Sequence, residues 1–212
     1  MEGATVLHMD QLAVLHTLMT TDPLRRKALE IVAALDLPDC WIGAGFVRDA
    51  LWDRLHGFDV REPNGDVDVI WYDAASPQAD VDDCIEQRLC GALPSLRWSV
   101  KNQARMHLRN GDDPYLSVSD AMRHWPETAT AVAVRLGYAG SVEVNAPLGL
   151  HDLFTLRLRP TPHFLRDKLA IFVDRVASKR WIERYPKLLL EVASMPPRIH
   201  CGVANDKDVG GS

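Results

Sequence analysis

Apolar side chains recur at helical spacing through the first 35 residues of the chain. Leu12, Leu15 and Met19 lie three to four positions apart, which predicts a first helix. A second helix is expected after Asp22, an N-cap residue followed by Pro23 at the first helical position. Its apolar stripe consists of Leu24, Ala28, Ile31, Val32 and Leu35. Both helices are predicted to be packing elements, because neither stripe carries residues suited to chemistry.

The pattern changes at residue 40. A short apolar run over 40–42 stops at the small residues 43–45, and helical spacing resumes over 46–56. A polar loop then leads to residues 66–72, where acidic and apolar positions alternate before the run becomes wholly apolar, as expected of a strand. This part of the chain is therefore predicted to form a strand, a glycine turn, a helix and a second strand.

Shorter elements are predicted in the rest of the chain. They are helices over 76–89 and 117–125, a strand over 96–100, a hairpin from 130–136 and 141–144, and a helix after Pro162 with Leu165, Leu169, Phe172, Val173 and Val176 on one stripe. This order predicts an α+β fold with a mixed β-sheet and flanking helices. We expect one domain over residues 1–195 with helices at both ends, followed by a disordered tail over 196–212.

Composition and charge narrow the class of protein. The 212 residues are 47% hydrophobic and 25% charged, a mixture typical of globular proteins. A formal net charge of −5 supplies no overall basic field, so a nucleic-acid partner would depend on a local basic patch. The N-terminus lacks signal-peptide features, and no segment reaches the roughly 20 apolar residues that span a bilayer. We therefore expect a cytoplasmic protein without membrane contact.

The cysteines do not indicate a structural zinc site. Cys40, Cys84, Cys90 and Cys201 include no CxxC pair and no histidine at zinc-finger spacing. Cys40 and Cys84 lie among apolar residues, so both are predicted to be small core side chains. In a cytoplasmic protein these thiols are expected to stay reduced.

The turn formed by Gly43, Ala44 and Gly45 is a candidate phosphate site. A strand that passes through small residues directly into a helix exposes backbone N–H groups at the positive end of that helix. Small residues also let phosphate oxygens approach closely. The alternative interpretation is that this turn only satisfies the geometry of the chain reversal.

Asp66 and Asp68 are candidate metal ligands. Side chains two positions apart in a strand project on the same face, while Val67 and Val69 point to the other face. Two such carboxylates repel each other unless a cation neutralises them, and hard oxygen ligands suit Mg²⁺ or Mn²⁺. The alternative is the exposed face of an edge strand, against which the apolar continuation over 69–71 argues.

Together these motifs resemble the signature of the DNA polymerase β-like nucleotidyltransferases, in which a glycine turn and a short helix precede an acid-x-acid strand. The run GAGFVRDAL over 43–51 also resembles a segment of tRNA CCA-adding enzymes and poly(A) polymerases, although the connecting loop here is longer. A bacterial nucleotidyltransferase family of this superfamily is similar over residues 25–190. The shared runs are KNQARMH at 101–107, WPETAT at 125–130 and APLGLHDLF at 146–154.

The resemblance implies a polymerase β-like nucleotidyltransferase fold and transfer of a nucleoside monophosphate from a triphosphate to a hydroxyl acceptor, with release of pyrophosphate. Two metal ions would be held by Asp66, Asp68 and a third carboxylate. Glu143, between two valines, is the expected third acid, with Glu127 and Asp152 as rivals. Predicted nucleotide-binding residues are Gly43, Ala44, Gly45, Arg48, Lys101, Asn102, Arg105 and His107.

Several questions stay open at this point. Arg48 and Asp49 form an ion pair in the preferred interpretation, instead of acting directly on substrate. The acceptor is a small molecule, an RNA or a protein. A nucleotide-sensing module of the same fold without turnover is the main alternative function, because the third carboxylate is uncertain. A glycosyltransferase that uses an acid-x-acid motif is a weaker alternative, because the glycine turn and the Arg-Asp pair are not expected there.

Overall fold

The computed structural model describes residues 2–165 and 168–192, with side chains described from Asp10 onward. The predicted tail over 196–212 lies outside this part. Helices α1 to α9 in the described residues are Glu2–Thr21, Pro23–Ala33, Gly45–His56, Ala79–Ala92, Met106–Asn110, Val118–Arg123, His151–Phe154, Leu169–Lys179 and Trp181–Arg184. Strands β1 to β7 are Trp41–Gly43, Asp66–Trp71, Arg97–Asn102, Ala133–Leu136, Val142–Asn145, Arg157–Leu158 and Leu189–Leu190.

A five-stranded sheet of order β3-β2-β1-β4-β5 organises the described chain. β1 pairs antiparallel with both β2 and β4, while β2 runs parallel to β3. β4 and β5 form the predicted hairpin, with Val134 opposite Val144. The predicted α+β fold with a mixed sheet is therefore confirmed, and the acid-bearing strand β2 lies inside the sheet with a neighbour on each side.

One face of this sheet forms the main hydrophobic core. Val67 and Val69 are fully buried there, beside Ile42 of β1 and Val134 of β4. Burial of each such side chain contributes about 1.5–3 kcal/mol, so the orientation of β2 is strongly specified. The helices pack on this face with residues of the predicted stripes, among them Leu15, Met19, Ala28, Val32, Ile85 and Leu89. Asp66 and Asp68 must then face the opposite side.

The opposite face is only partly covered. Trp41 and Ile70 of the sheet form a small second cluster with Val118 and Met122 of α6, and the partly buried Trp125 packs against it. Ser117 starts α6, because its hydroxyl accepts a hydrogen bond from the Asp120 amide at 3.0 Å. This short helix covers one end of the face and leaves the end that carries Asp68 accessible.

The C-terminal helices hold α3 in place. Trp52 of α3 is fully buried and makes edge-to-face contacts with Trp181 and Tyr185, at ring-centroid distances of 6.2 and 5.2 Å. The Tyr185 hydroxyl donates to Asp53 of α3 at 3.2 Å. Because α3 begins at the glycine turn, this packing also fixes the turn beside the sheet.

Two details of the sequence-based prediction are wrong. Cys84 is exposed, because the buried face of α4 is formed by Asp82, Ile85 and Leu89, and Cys84 lies off that face. Leu165 and Val173 do not belong to a buried stripe of α8, with exposed fractions of 36% and 47%. The chain forms a 3₁₀ turn over 162–164 after Pro162, so α8 begins only at Leu169. No helix among the described residues has the length and hydrophobicity to cross a membrane.

Candidate active site

Asp66 and Asp68 lie where strand alternation places them, on the sheet face opposite the main core. Gly43 of β1 is the register partner of Asp68, so the glycine turn and the acid-x-acid strand are neighbours in the sheet. The Asp66 side chain is 62% exposed and lies 3.4 Å from an Arg97 nitrogen. Asp68 is half-buried. The structure therefore brings together the two features on which the sequence-based hypothesis depends.

A cavity of about 530 Å³ opens on this face, and Asp68 and Ala44 contribute to its wall. The wall also contains cations, which suit phosphate oxygens, and large apolar side chains, which suit a flat ring. The cations are Lys101, Arg109, Lys168 and Arg175, and the apolar side chains are Ile70, Met106, Trp125, Phe164 and Ile171. The cavity combines one acidic side, a cationic rim and an aromatic wall.

The surroundings of Asp68 disfavour the ionised form of its carboxyl. Burial raises the pKa of its carboxyl above the ordinary value, and repulsion by Asp66 raises it further. The positive charges of Arg175, Arg48 and Lys179 oppose this rise without cancelling it. A divalent cation between the two aspartates would remove both causes, because it replaces lost hydration and screens the repulsion. The donor set and its electrostatics therefore fit a hard metal ion.

The glycine turn uses its small residues in more than one way. Ala44 adopts a positive φ of 55° with ψ at −124°, a conformation that is strained for a residue with a side chain. Its amide donates to Val132 at 2.9 Å, and its carbonyl accepts the first helical hydrogen bonds of α3. Val47 and Arg48 donate these bonds, so the amides of Gly45 and Phe46 precede them, and they lie beside the cavity that Ala44 lines.

Gly43 is required by packing. A Cβ atom there would lie 3.1 Å from Cη2 of Trp125 and 3.3 Å from Cδ1 of Ile70, which is tighter than ordinary contact. A Cβ at Gly45 would lie 3.4 Å from Nη2 of Arg48 and 3.7 Å from Oδ2 of Asp49, which is ordinary contact. The space beside Gly43 is thus taken by Trp125, so the prediction that Gly43 itself admits phosphate oxygens is not supported.

Arg48 is engaged inside the protein. Its Nε and Nη2 donate to Oδ1 of Asp49 at 2.9 and 2.7 Å, and its Nη1 donates to the Thr130 hydroxyl at 2.9 Å. Its guanidinium carbon also lies 4.5 Å from the Trp181 ring centroid. The ion pair preferred in the sequence interpretation is present. Three of the five N–H groups of this buried side chain are used inside the protein, and its charge acts on Asp68 from a distance, so nucleotide binding by Arg48 stays a prediction.

The run over 101–107, which begins in the last two residues of β3, is mostly structural. Lys101 lines the cavity, and its contact with a nucleotide stays a prediction. Asn102 is fully buried and its side-chain amide donates to the carbonyls of Asp73 and Ser76, which clamps the loop after β2. The predicted role of Asn102 in nucleotide binding is therefore wrong, because its amide is used inside the fold.

The structure does not bring Arg105 and His107 to the cavity wall. Nη2 of Arg105 lies 2.5 Å from Oδ2 of Asp82, a buried residue of α4. A buried carboxylate requires such a cationic partner. His107 packs against Tyr115 at a ring-centroid distance of 6.2 Å. Neither side chain belongs to the cavity wall, whereas Gln103, between Asn102 and Ala104, does.

Glu143 is not near the aspartates. It lies on β5, three strands from β2, and Nε and Nη2 of Arg135 donate to its carboxylate at 2.8 and 2.7 Å. At about 4.8 Å per strand this separation is roughly 14 Å, too far to share a metal ion. The predicted third carboxylate is therefore wrong. The sheet positions level with Asp68 hold Gly43, Ser99 and Ala133 instead.

The two rival acids are also engaged elsewhere. Asp152 pairs with Arg159 at 2.5 Å and accepts from the Thr128 hydroxyl at 2.6 Å. Burial would raise the pKa of Asp152, but these hydrogen bonds outweigh it and hold the pKa below its ordinary value. Glu127 is fully buried and accepts from Nε of Arg175 at 2.7 Å. Among the described residues, these acids are bound to arginines.

A second cluster of polar side chains lies at the cavity, and no motif in the sequence predicts it. Asp112, His124 and His163 bring potential ligand atoms within 4.8 Å of one another. The Lys168 ammonium lies among them, 2.9 Å from Asp112 Oδ1 and 2.7 Å from His163 Nε2. Burial would raise the pKa of Asp112, but hydrogen bonds from Tyr115 and Lys168 hold it below the ordinary value. In this structure the cation beside Asp112 is Lys168.

Comparison with known proteins agrees with this geometry. The family described as nucleotidyltransferase matches residues 30–190. The chain belongs to this nucleotidyltransferase family. A protein whose NMR structure reveals a CCA-adding enzyme head domain is 32% identical, with a TM-score of 0.75 over 84% of this chain and 94% of that chain. No curated protein matches the chain.

A CCA-adding enzyme solved in complex with CTP has the same fold, with 16% identity and a TM-score of 0.50. The match covers 82% of this nucleotidyltransferase but only 42% of that enzyme. This chain therefore corresponds to less than half of the larger enzyme. The polymerase β-like nucleotidyltransferase fold expected from the sequence is confirmed, and the relation to CCA-adding enzymes concerns their head domain.

We predict that Asp68→Asn stabilises the metal-free nucleotidyltransferase at pH 7. The folded pKa of Asp68 lies above its unfolded value, so its ionised carboxylate costs stability at neutral pH, and this cost disappears as the pH falls through the folded pKa. The melting temperature should rise by about 2–4 °C for each kcal/mol that the charge costs. Scanning calorimetry from pH 4 to 8 measures the melting temperature of the wild type and of the variant. Asp66→Asn, at an exposed position, should change it less; a lower melting temperature for Asp68→Asn would contradict the account.

Gly43→Ala should destabilise the fold, and Gly45→Ala is its matched control. The new methyl group at Gly43 must displace the Trp125 ring, and overpacking of this kind costs about 1–3 kcal/mol. At Gly45 the methyl group makes contacts of ordinary length with Arg48 and Asp49, and a first-turn alanine restricts the unfolded chain, so stability should stay the same or rise. Urea unfolding measures the change in the free energy of unfolding for both variants. Equal loss in both would mean that the Trp125 contact is not what requires Gly43.

Proposed function

We propose that this protein is a metal-dependent nucleotidyltransferase that moves a nucleoside monophosphate from a nucleoside triphosphate to a hydroxyl acceptor and releases pyrophosphate. One observation carries the proposal. The half-buried Asp68, with Asp66 on the same face, lies beside the start of α3 in a cavity with cationic and aromatic walls. This combination fits a metal-bound triphosphate with an attached base, and family membership supports the transfer reaction.

Asp66 and Asp68 would hold the metal, Mg²⁺ or Mn²⁺. Both offer hard carboxylate oxygens, and the raised pKa of Asp68 marks a carboxylate that lacks sufficient compensating charge. When bound there, such an ion supplies charge neutralisation at the phosphates and lowers the pKa of an acceptor hydroxyl. Positioning of the substrate is the task of the protein groups around it.

The nucleotide would lie along the cavity. The amides of Gly45 and Phe46, which precede the first hydrogen bonds of α3, suit phosphate oxygens, and the rings of Trp125 and Phe164 suit a base. A CCA-adding enzyme with the same fold was solved with CTP, which supports a nucleoside triphosphate as the ligand class. The acceptor in our proposal is a hydroxyl of a small molecule, an RNA or a protein.

A nucleotide-binding module without turnover is the second candidate. The observation that favours it concerns the third carboxylate. Glu143, Glu127 and Asp152 are all bound to arginines, and the positions level with Asp68 hold no acid. Such a module would bind the triphosphate with its metal and release it unchanged.

The test is a labelling experiment with two labels. Purified protein, Mg²⁺ or Mn²⁺ and cell extract are incubated with each nucleoside triphosphate, labelled either in the α-phosphate or in the γ-phosphate. We expect transfer of the α-label to a new species and release of the γ-label as pyrophosphate. Asp68→Asn should reduce transfer by more than the ~10–100-fold that changes next to metal ligands cause.

Glu143→Gln is the matched control, because it removes a carboxylate from the same sheet face three strands away. Its exposed ion pair with Arg135 contributes little to stability, so transfer should stay near the wild-type level. Metal-dependent binding of the triphosphate without any transfer would support the sensing module. Equal transfer by wild type and Asp68→Asn would rule out the assigned metal site.

A further inference from the structure

Arg175 is a cavity-lining arginine that a buried acid holds in position. We propose that Arg175 binds the pyrophosphate part of the nucleoside triphosphate, and that Glu127 is the residue that positions it. The identity of the ligand rests on the proposed function. The contact itself can be tested separately, because inorganic pyrophosphate binding requires no turnover.

The first observation is the burial of Glu127. Its exposed fraction is 0%, its Oε1 accepts from Nε of Arg175 at 2.7 Å, and its Oε2 has no hydrogen-bond partner among the described residues. A buried carboxylate without a cation costs several kcal/mol, so Glu127 requires Arg175 to remain close. The two residues are 48 positions apart in the chain, so this pairing ties the start of the 3₁₀ turn at Thr128 to α8.

The second observation is how Arg175 is held. Glu127 engages its Nε, and its guanidinium carbon lies 5.6 Å from the Trp181 ring centroid. Neither Nη nitrogen donates a hydrogen bond within the described residues. Arg175 lines the same cavity as Asp68. The guanidinium is therefore fixed through its Nε, and its two Nη nitrogens are available in the cavity that Asp68 lines.

The other cations of the cavity are used differently. The Lys168 ammonium lies within hydrogen-bond distance of the Asn110 carbonyl, Asp112 and His163, which accounts for its three N–H groups. Lys101 donates to the Val100 carbonyl at 2.8 Å. Arg109 is exposed, and no ion pair within the described chain orients it. Arg175 thus combines a fixed orientation with unused donors.

A planar guanidinium matches two oxygens of a phosphate group, which a lysine cannot do. In the proposed reaction, an electron pair of the acceptor oxygen forms a bond to the α-phosphorus. The bond from the α-phosphorus to the bridging oxygen breaks, its electron pair leaves with pyrophosphate, and the hydroxyl proton passes to solvent. Negative charge therefore grows on pyrophosphate, and hydrogen bonds from the Nη nitrogens of Arg175 stabilise it.

The test measures binding of inorganic pyrophosphate by titration calorimetry in metal-free buffer. Arg175→Gln should weaken binding about 10- to 100-fold, as expected when charge-assisted hydrogen bonds are lost. Arg175→Lys should recover only part of this loss, because it keeps the charge without the fork. Arg157→Gln is the matched control, since Arg157 also pairs with a glutamate and its side chain is 38% exposed, against 35% for Arg175.

The role of Glu127 is tested by a double-mutant cycle. Glu127→Gln keeps the size of the side chain and removes its charge, so it should weaken pyrophosphate binding by loosening Arg175. In the Arg175→Gln background the same change should have no further effect, because Glu127 acts only through Arg175. An equal loss in both backgrounds would overturn the positioning role.

The double variant Glu127→Gln with Arg175→Gln also guards against misfolding, because it leaves no unpaired buried charge. If that variant melts near the wild-type temperature and has lost pyrophosphate affinity, the assignment of Arg175 is supported. Wild-type affinity in Arg175→Gln, or an equal loss in Arg157→Gln, overturns it. Arg175-dependent pyrophosphate binding in a protein that transfers no nucleotide would refute the proposed function and leave this inference standing.

Discussion

The account depends on one constraint, the burial of the Asp68 carboxylate beside a second carboxylate. Val67 and Val69 lock β2 into the main core, so neither aspartate can turn away from the cavity face without exposing them. Burial and the charge of Asp66 raise the pKa of Asp68, while Arg175 offsets only part of that effect. The charged side chains of this cavity are stabilised most by a ligand that brings positive charge to the aspartates and negative charge to the arginine. A metal-bound triphosphate is such a ligand.

The elements around the site could be predicted because their signals are local. Alternation over 66–72 predicted β2 and its two faces, and the small residues at 43–45 predicted the turn into α3. The mixed sheet followed from the order of the predicted elements, and the β4–β5 hairpin from two β-rich runs joined by a short turn. Neither pattern predicts that Gly43 and Asp68 are register partners. Their strands are joined by only one helix and one loop, which favours pairing of the strands.

The partners of the polar side chains could not be predicted in the same way. Glu143 between two valines has the same local pattern as a metal ligand, but strand order places it opposite Arg135. Asn102 and Arg105 belong to a polar run that looks like a binding loop, and they serve buried groups elsewhere in the fold. No local pattern predicts the pairing of Arg175, because Glu127 is 48 residues away. Alternation specifies a face of a sheet, whereas ion pairing depends on which distant segments meet.

The most direct test of the central claim is the anomalous scattering of Mn²⁺ in crystals grown with a triphosphate analogue that cannot be cleaved between its α- and β-phosphates. The account predicts manganese bound by carboxylate oxygens of Asp66 and Asp68, with the triphosphate extending from that ion toward the start of α3. Manganese bound only at Asp112 with His124, or a nucleotide bound away from both aspartates, would contradict it.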